Sequence, residues 1–374
     1  MKLFGKSSEI VLVSIFILGV AFAGSTQGAP APSAYKVIKT VKLGGDGGWD
    51  CLTVDSEARR LYISRGTHVM VVNADTGEVV GDIPGTNGVH GIAIVRSLGK
   101  GFISNGRDNT VSVFDLKTLK VSKQIPVGKS PDIIFYDPES EFVFSGNGRS
   151  QDINAIDPKS ETVKATIPLD GKPEFAVADK GHVYVNLEDK STIVRIDSRK
   201  LAVDARWPLA PGEEPTGLAI DEKHHRLFAA CANKMMVVVN TADGHVVGHV
   251  PTGDGADGAE FDSSSQLAFS PNGGDGTLTV IHEDAPDKFS VAQTLPTQRG
   301  ARTMTLDPKT HNVFLITAEF GPPPPATAER PHPWPSIVPG SFTLLIVGKG
   351  RRAKQLLVCV VQNRQFGWAK SELP

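Results

Sequence analysis

The side chains in this chain that are best suited to chemistry recur at a nearly constant spacing. Between residues 50 and 302, a charged or polar residue returns every 40 to 45 positions at the same point of a repeated pattern. If brought together, carboxylates with an imidazole and a guanidinium could bind a divalent cation through oxygen ligands or hold a small polar molecule. These candidate ligand-binding residues are Asp50, His90, Asp132, Glu174, Thr216, Asp257 and Arg302.

Four members of this series are carboxylates, and they are the candidate ligands for a divalent cation: Asp50, Asp132, Glu174 and Asp257. His90 is the one imidazole in the series, so it is a candidate metal ligand and the candidate catalytic acid or base. A less specific interpretation stays open. Acidic and amide side chains commonly cap strand ends and turns, so the series could be a polar rim that only faces water.

The spacing reflects an internal repeat, whose copies we number one to seven. Each copy opens with a short segment, which in copy one is WDCLTVD. Three further short runs rich in β-branched residues follow in each copy, bounded by turn residues, and they predict strands. The seven opening segments are residues 49–55, 89–95, 131–137, 173–179, 215–221, 256–262 and 301–307.

Turn residues indicate that the strands of one copy pair as antiparallel hairpins. Gly77 and Gly244 each end a five-residue turn at the point where a short hairpin needs a left-handed residue. A lone four-stranded sheet cannot bury both faces, whereas a ring of such sheets buries each face against a neighbour and protects most edges. The sequence therefore predicts an all-β propeller with one four-stranded antiparallel blade for each copy.

The strand count indicates how the ring closes. Copy seven has a first strand from Ala301, a second at 312–317 and a third at 342–347, but no fourth follows it. Residues 36–44, KVIKTVKLG, match the fourth-strand pattern with Lys42 in place of proline. We therefore predict seven blades over residues 35–349, closed by the N-terminal strand.

The repeats resemble those of the YVTN-type, YncE-like seven-bladed β-propellers, which are secreted bacterial proteins. The resemblance covers residues 35–348 and rests on the pattern Val-x-Val-[Asp/Asn]-x-x-[Thr/Ser]-Gly-x-Val-x-x-x-Ile-Pro-x-Gly. It implies the fold specifically. It implies little about function, because propellers carry binding proteins, lactonases, dehydrogenase subunits and nucleic-acid binders on one scaffold.

In a propeller, the fourth-to-first and second-to-third connections emerge on the same face, so further residues should join the polar series. Arg107 and Arg149 lie in such second-to-third connections and are predicted to contribute to binding. Copy seven carries a proline-rich insertion there, residues 318–340, whose prolines favour polyproline II. It could cover the polar series with Phe320 or Trp334, or it could be a stiff loop over the closure seam.

Both ends of the chain depart from the repeat. Residues 1–23 combine two lysines, a short apolar run and an Ala-Phe-Ala site, as a secretory signal peptide does. Residues 24–34 are a small, proline-containing linker, and residues 350–374 form an atypical tail that matches no strand position. We expect a periplasmic or secreted protein without a membrane span in the mature chain.

Charge argues against general nucleic-acid binding. Residues 24–349 contain 32 Lys and Arg against 39 Asp and Glu, so the predicted propeller is acidic. Binding to nucleic acid depends on neutralising phosphates with basic side chains, which this balance disfavours.

Enzyme and disulfide signatures are absent from the sequence. It contains no C-x-x-C-H, G-x-S-x-G, H-E-x-x-H or Walker motif. Three cysteines are too few for a disulfide framework. Cys51 and Cys231 fall in copies that lie nearly across the ring, so we predict two unbridged, packed thiols.

These observations favour a monomeric, non-catalytic binding or scaffold propeller of the bacterial envelope, with a small polar ligand or an envelope protein as partner. One alternative is a metal-assisted, lactonase-like hydrolase, in which the carboxylates hold a cation and His90 or a carboxylate moves the proton. Another alternative is a periplasmic partner of a dehydrogenase. The sequence leaves the cofactor unidentified, with a divalent cation as the candidate.

Overall fold

The computed structural model describes residues 34–45, 47–327 and 335–350. The predicted signal peptide, the linker up to residue 33, Trp334 and residues 351–374 lie outside this part of the chain. Among the described residues, none belongs to a helix that is long and apolar enough to cross a membrane.

Strands are the main regular structure of the described residues, beside two short 3-10 turns at Arg96–Leu98 and Glu188–Lys190. The strands are β1 Tyr35–Lys42, β2 Leu52–Asp55, β3 Arg60–Ser64, β4 Gly66–Asn73, β5 Val79–Val95, β6 Lys100–Asn105, β7 Thr110–Asp115, β8 Val121–Pro126, β9 Pro131–Asp137, β10 Phe142–Asn147, β11 Asp152–Asp157, β12 Thr162–Pro168, β13 Pro173–Asp179, β14 His182–Leu187, β15 Thr192–Asp197, β16 Ala202–Pro208, β17 Pro215–Asp221, β18 Arg226–Cys231, β19 Met235–Asn240, β20 Val246–Pro251, β21 Glu260–Asp262, β22 Leu267–Asn272, β23 Thr277–Ala285, β24 Lys288–Pro296, β25 Met304–Asp307, β26 Asn312–Thr317 and β27 Thr343–Lys349.

These strands form antiparallel sheets that follow the copies of the repeat. Copies three, four, five and six each make a four-stranded sheet, in the orders β12-β11-β10-β9, β13-β14-β15-β16, β17-β18-β19-β20 and β21-β22-β23-β24. The strands of copy seven pair with the N-terminal strand in the order β1-β27-β26-β25. Val37 pairs with Val347, and Thr40 pairs with Leu345. The strand from the start of the chain therefore occupies the fourth position of the copy-seven sheet.

Copies one and two share a single seven-stranded sheet, β2 to β8, where the sequence predicts two separate ones. The fourth strand of copy one and the first strand of copy two run together as the 17-residue β5. Its first part pairs with β4, and its second part pairs with β6. Gly85 and Gly88 adopt positive φ angles at the junction, so the chain changes partner without an intervening loop.

The core lies between the sheets rather than within a single layer. β10 has five of its six residues buried, whereas the outer strand β8 has one of six. A middle strand faces a neighbouring sheet on both sides, so residues on both of its faces are buried. Aromatic side chains fill the space between copies five and six, where Phe228 stacks on Phe261 with ring centroids 5.1 Å apart. The first strands contact one another in the order β2, β5, β9, β13, β17, β21 and β25, and β25 contacts β2.

The two cysteines within the described residues are buried and unbridged, as predicted. Burial raises the pKa of the Cys51 thiol, and the nearby carboxylates Asp50 and Asp132 raise it further. Both thiols are therefore packing groups rather than nucleophiles.

The opening segments of copies five and six approach so closely that a side chain at Gly217 would overlap the neighbouring backbone. A Cβ at Gly217 on β17 would lie 2.1 Å from the backbone carbon of Gly258 in the next copy, whereas a Cβ at Gly258 would have no neighbour closer than 3.5 Å. We expect Gly217→Ala to lower the free energy of unfolding by about 1–3 kcal/mol, because rigid backbone must move. Gly258→Ala should change it by less than about 1 kcal/mol. Urea unfolding of both variants checks this, and equal stabilities would contradict the strand packing.

Candidate functional site

The polar series lies where the first strands begin. Asp132 and Glu174 are the second residues of β9 and β13, and Asp50 and Arg302 come two residues before β2 and β25. Hydroxyl groups on adjacent strands fix this backbone. The Ser104 hydroxyl accepts a hydrogen bond from the Gly91 amide and donates to the Asp132 carbonyl. Strands therefore set the positions of His90, Asp132 and Glu174, whereas Asp50, Asp257 and Arg302 lie a few residues before their strands.

His90 lies between two carboxylates. Its Nδ1 is 2.5 Å from Oδ2 of Asp50 and 3.4 Å from Oδ1 of Asp132. One potential ligand atom from each of the three residues falls within 4.8 Å of the others. Gly106 packs against the ring, since a Cβ there would lie 2.8 Å from the imidazole Nε2. The first three members of the polar series thus form one cluster, as their spacing predicts.

Arg302 holds a second cluster beside the first. Its Nε donates a hydrogen bond of 2.8 Å to Asp257, and one of its terminal nitrogens lies 3.5 Å from Asp50. The same guanidinium donates to the carbonyl of Trp49 at 3.4 Å. Asp50 therefore lies between the imidazole of His90 and the guanidinium of Arg302.

Glu174 has a cationic partner that the sequence analysis missed. Lys172 Nζ lies 2.7 Å from Oε1 of Glu174 and also contacts Glu188, which belongs to the 3-10 turn after β14. The lysine lies two residues before Glu174 in the same connection, which is the signal that could have identified it. Of the four candidate metal carboxylates, Glu174 and Asp257 are thus ion-paired, and Asp50 and Asp132 share His90.

Burial raises the pKa values of three of these carboxyl groups. It raises the pKa of Asp132 to about 6 and that of Glu174 to about 8, with part of the increase at Glu174 due to the charge of Asp132. It raises the pKa of Asp257 to about 6 in spite of the neighbouring Arg302. A charged group loses hydration when protein encloses it, and like charges nearby disfavour ionisation further. These three carboxyl groups are therefore costly to ionise where they lie.

His90 responds in the opposite direction. Burial lowers its pKa, but the hydrogen bond to Asp50 and the charges of Asp132 and Glu174 outweigh that effect and raise the pKa to about 9. The imidazole is then protonated at neutral pH. An imidazolium held by two carboxylates is a poor proton acceptor, so its position favours an electrostatic role over general-base catalysis.

The remaining members of the series have different surroundings. The Thr216 hydroxyl donates to the Ala256 carbonyl at 2.9 Å, so it links two neighbouring first strands. Arg107 and Arg149 are exposed at the rim, above the His90 cluster. They belong to the second-to-third connections, which lie on the same face as the polar series, as predicted.

Two adjoining cavities open over these residues. One has a volume of about 640 Å³ and is lined by Asp50 and His90 below and by Arg107 and Arg149 at the rim. The other has a volume of about 790 Å³ and is lined by Asp257 and by the apolar side chains Phe320 and Ile337, among others. Gly48, Trp49 and Arg302 line both. Each volume is in the range that accommodates a small molecule.

The proline-rich insertion borders the larger cavity. Phe320 and Ile337 form an antiparallel bridge, with the Gly321 amide donating to the Ser336 carbonyl at 2.8 Å. The ring centroid of Phe320 is 6.1 Å from that of Trp49. Phe320 is thus an apolar wall of the cavity, which is one of the two alternatives that the sequence leaves open for the insertion.

Comparison with known proteins identifies the fold and no more. No protein-family model matches the sequence, and no curated protein is significantly similar to it. A solved structure of Kuenenia stuttgartiensis hydrazine synthase is similar with a TM-score of 0.62 at 16% identity, over 74% of this chain and 94% of that one. The crystal structure of RRP9 WD40 repeats is similar with a TM-score of 0.69 at 8% identity, over 86% of this chain and 99% of that one. The chain therefore has an all-β propeller fold with WD40-like repeats, built from antiparallel sheets.

Proposed function

We propose that this protein is a seven-bladed propeller of the YVTN type, closed by β1 and exported to the periplasm or beyond. It binds a small polar ligand, without chemical conversion, on the face where the first strands begin, which we call the channel mouth. The observation that carries the proposal is the pair of adjoining cavities around Arg302, which the half-buried ionisable groups Asp50, His90 and Asp257 line. The repeat pattern and the N-terminal sequence support the family and the export.

The charges at the mouth favour a ligand with a cationic group. Five carboxyl groups at the mouth contact only three cationic side chains. The carboxyl groups are those of Asp50, Asp132, Glu174, Glu188 and Asp257, and the cationic side chains are His90, Lys172 and Arg302. A cation placed beside Asp132 and Glu174 would favour their ionised forms and remove part of the cost of burying them. The exposed guanidinium groups of Arg107 and Arg149 at the rim suit an anionic group on the same molecule. A dipolar metabolite, such as an amino acid, satisfies both requirements.

The test is ligand-dependent thermal stability in the double variant Asp132→Asn, Glu174→Gln. The probes are CaCl₂, MnCl₂, putrescine and L-arginine at constant ionic strength and pH 8. We expect at least one probe to raise the Tm of the wild type, because binding to the folded state alone stabilises it. The double variant should melt no lower than the wild type without a probe, since both carboxyl groups are costly when ionised, and it should lose the response.

The matched control is Glu57→Gln, Glu222→Gln, which removes two exposed carboxylates away from the mouth. It should retain the wild-type response. Binding at the mouth would be refuted if no probe stabilises the wild type, or if the double variant responds as the wild type does.

The second candidate is a metal-assisted hydrolase, and the Asp50, His90 and Asp132 cluster favours it specifically. A divalent ion among these three ligand atoms would displace the Nδ1 proton and could polarise a lactone carbonyl. The discriminating experiment is hydrolysis of a lactone panel with Mn²⁺ or Ca²⁺, followed by acid release. Turnover that requires the metal and is lost in His90→Gln would replace the binding function by this one.

A further inference from the structure

A second group of ionisable residues lies away from the channel mouth, at the other end of β17. Asp221 is the last residue of this strand, whereas Thr216 near its start lines the mouth cavity. Five residues of extended strand separate the two positions by roughly 17 Å. This group, which we call the seam cluster, consists of Asp221 and His224 of copy five and Glu283 of copy six.

The seam cluster has the ligand types and spacing of a metal site. His224 Nδ1 lies 2.6 Å from Oδ2 of Asp221 and 3.2 Å from Oε2 of Glu283. One potential ligand atom from each of the three residues lies within 4.8 Å of the others. The side chains of Asp221 and Glu283 are 2% and 1% exposed, whereas that of His224 is 21% exposed. An ion could therefore enter past the imidazole.

At other boundaries between neighbouring copies, which we call seams, a carboxylate faces a cationic side chain. At two seams, the carboxylate that ends a first strand pairs with an arginine of the next copy. These pairs are Asp55 with Arg96 and Asp307 with Arg59. Asp262 faces His311 in the same way. At Asp221 the residue from the next copy is instead a second carboxylate, Glu283. This seam thus places two buried carboxylates together where others pair an acid with a base.

The repeat also shows that the Glu and His at this seam replace neutral residues. The amide of Glu283 donates to the carbonyl of Gln266, a hydrogen bond made at the corresponding position by Ala74, Leu116, Ser198 and Thr241. In copies three and seven, the residue three positions after the strand-ending Asp is instead Ser140 or Thr310, whose hydroxyl donates a hydrogen bond to that Asp. His224 of copy five and Glu283 of copy six are thus side chains of metal-ligating types that meet at this seam.

Glu283 also has an oxygen without a partner. Its Oε1 is buried and accepts no hydrogen bond from the described residues. Arg226 does not supply the missing charge by direct contact, since its guanidinium donates to Asp287 and to the carbonyls of Pro286, His224 and His225. A buried, unpaired carboxylate oxygen is costly, and a cation would remove that cost.

We propose that Asp221, His224 and Glu283 bind one divalent transition-metal ion of the Zn²⁺ class and so join copies five and six. One imidazole with two carboxylates is a ligand set for Zn²⁺ and related first-row ions rather than for Ca²⁺ or Mg²⁺, which prefer oxygen ligands alone. Three protein ligands leave a fourth position for water on the exposed side of His224. Because the ligands come from two sheets, the ion would stabilise the folded chain and not the unfolded one.

The test is metal binding by chelator-treated protein that carries His90→Gln, which removes the imidazole of the mouth cluster. We expect one equivalent of Zn²⁺ to bind, a rise in Tm of at least about 3 °C with Zn²⁺ in 100-fold excess over its Kd, and a visible absorption band on Co²⁺ substitution. Adding Glu283→Gln should abolish all three signals, and so should adding His224→Gln. Glu283→Gln keeps the side-chain shape and removes the charge, so the apo protein should remain folded.

The matched control is His311→Gln, which removes a histidine that faces one first-strand carboxylate at the next seam. It should leave the stoichiometry and the Co²⁺ band unchanged. The proposal is overturned if the His90→Gln protein binds no Zn²⁺, or if Glu283→Gln binds it equally. This outcome does not bear on the ligand site at the mouth, since that site is tested with the carboxylates Asp132 and Glu174.

Discussion

Removing residues 35–43 should abolish the cooperative unfolding transition of this protein. The deletion takes away β1, which pairs with β27 from Tyr35 opposite Lys349 to Lys42 opposite Thr343. It would leave an unpaired strand edge formed by residues that are now buried, such as Leu344 and Leu345. An exposed, apolar strand edge also promotes association between chains. Circular dichroism and calorimetry should record a broad, non-cooperative melt, with aggregation in solution.

The effect should be large because β1 contacts more than one sheet. The backbone of Tyr35 exchanges two hydrogen bonds with the side chain of Gln293 on β24, and its ring packs edge-on against Phe269 at 5.2 Å. On the other side, Lys39 donates to the carbonyl of Thr76 in the turn of copy one. β1 thus joins the last copies of the repeat to the first. The control is a chain that begins at Ala34. If the chain lacking residues 35–43 melts like that control, β1 does not hold the ends of the repeat together.

Replacing Arg302 by methionine should lower the free energy of unfolding by about 1–3 kcal/mol at pH 8. Methionine retains much of the packing but leaves Asp257 without its 2.8 Å partner and removes the nearby positive charge from Asp50. Losing one member of a buried ion pair costs about 3–5 kcal/mol, and we expect less here because the arginine side chain is 35% exposed. Urea unfolding measures the difference.

The loss should depend on pH in a defined direction. Burial raises the pKa of Asp257 to about 6, so its carboxylate is ionised at pH 8 and largely protonated at pH 5. Arg302 stabilises only the ionised form, and without it the pKa of Asp257 should rise further. The difference between wild type and Arg302→Met should therefore grow as the pH rises through 6 and shrink below it.

Two further variants separate the ion pair from general effects. Adding Asp257→Asn to Arg302→Met should restore most of the lost stability at pH 8, since the unpaired charge is gone. Arg107→Met, which removes an exposed arginine from the rim, should change stability by less than about 0.5 kcal/mol. A loss that is the same at pH 5 and pH 8 would instead assign the effect of Arg302 to packing.

The repeat made the secondary structure readable from the sequence. Strands begin within a few residues of the predicted positions, as in Asn312–Thr317, predicted at 312–317, and Thr343–Lys349, predicted at 342–347. Residues 36–44 were predicted to complete copy seven, and β1 pairs there with β27. Each of these features follows from local patterns that recur, so the strand positions assigned in one copy can be checked against those in the others.

The recurring spacing also predicted the positions of the polar side chains, because the register of a strand decides which residue stands at its start. His90 and Asp132 come together at the mouth for this reason, although 42 residues separate them. The spacing did not determine which charges pair. Lys172 reaches both Glu174 and Glu188 because of where its connection lies against the 3-10 turn after β14. An alignment of the repeats does not contain the distance from Lys172 to either carboxylate.

The sequence by itself therefore determined the strands, their antiparallel pairing and the identity of the polar series, since all three depend on short-range periodicity and turn chemistry. Only the tertiary structure determined which charged side chains form ion pairs and which carboxylates are buried at a cost in free energy. It placed Asp50 between His90 and Arg302, and it brought Glu283 of copy six against Asp221 of copy five, 62 residues away. The physical reason is that ion pairing and desolvation depend on distance and enclosure in space, and the packing between neighbouring sheets sets both.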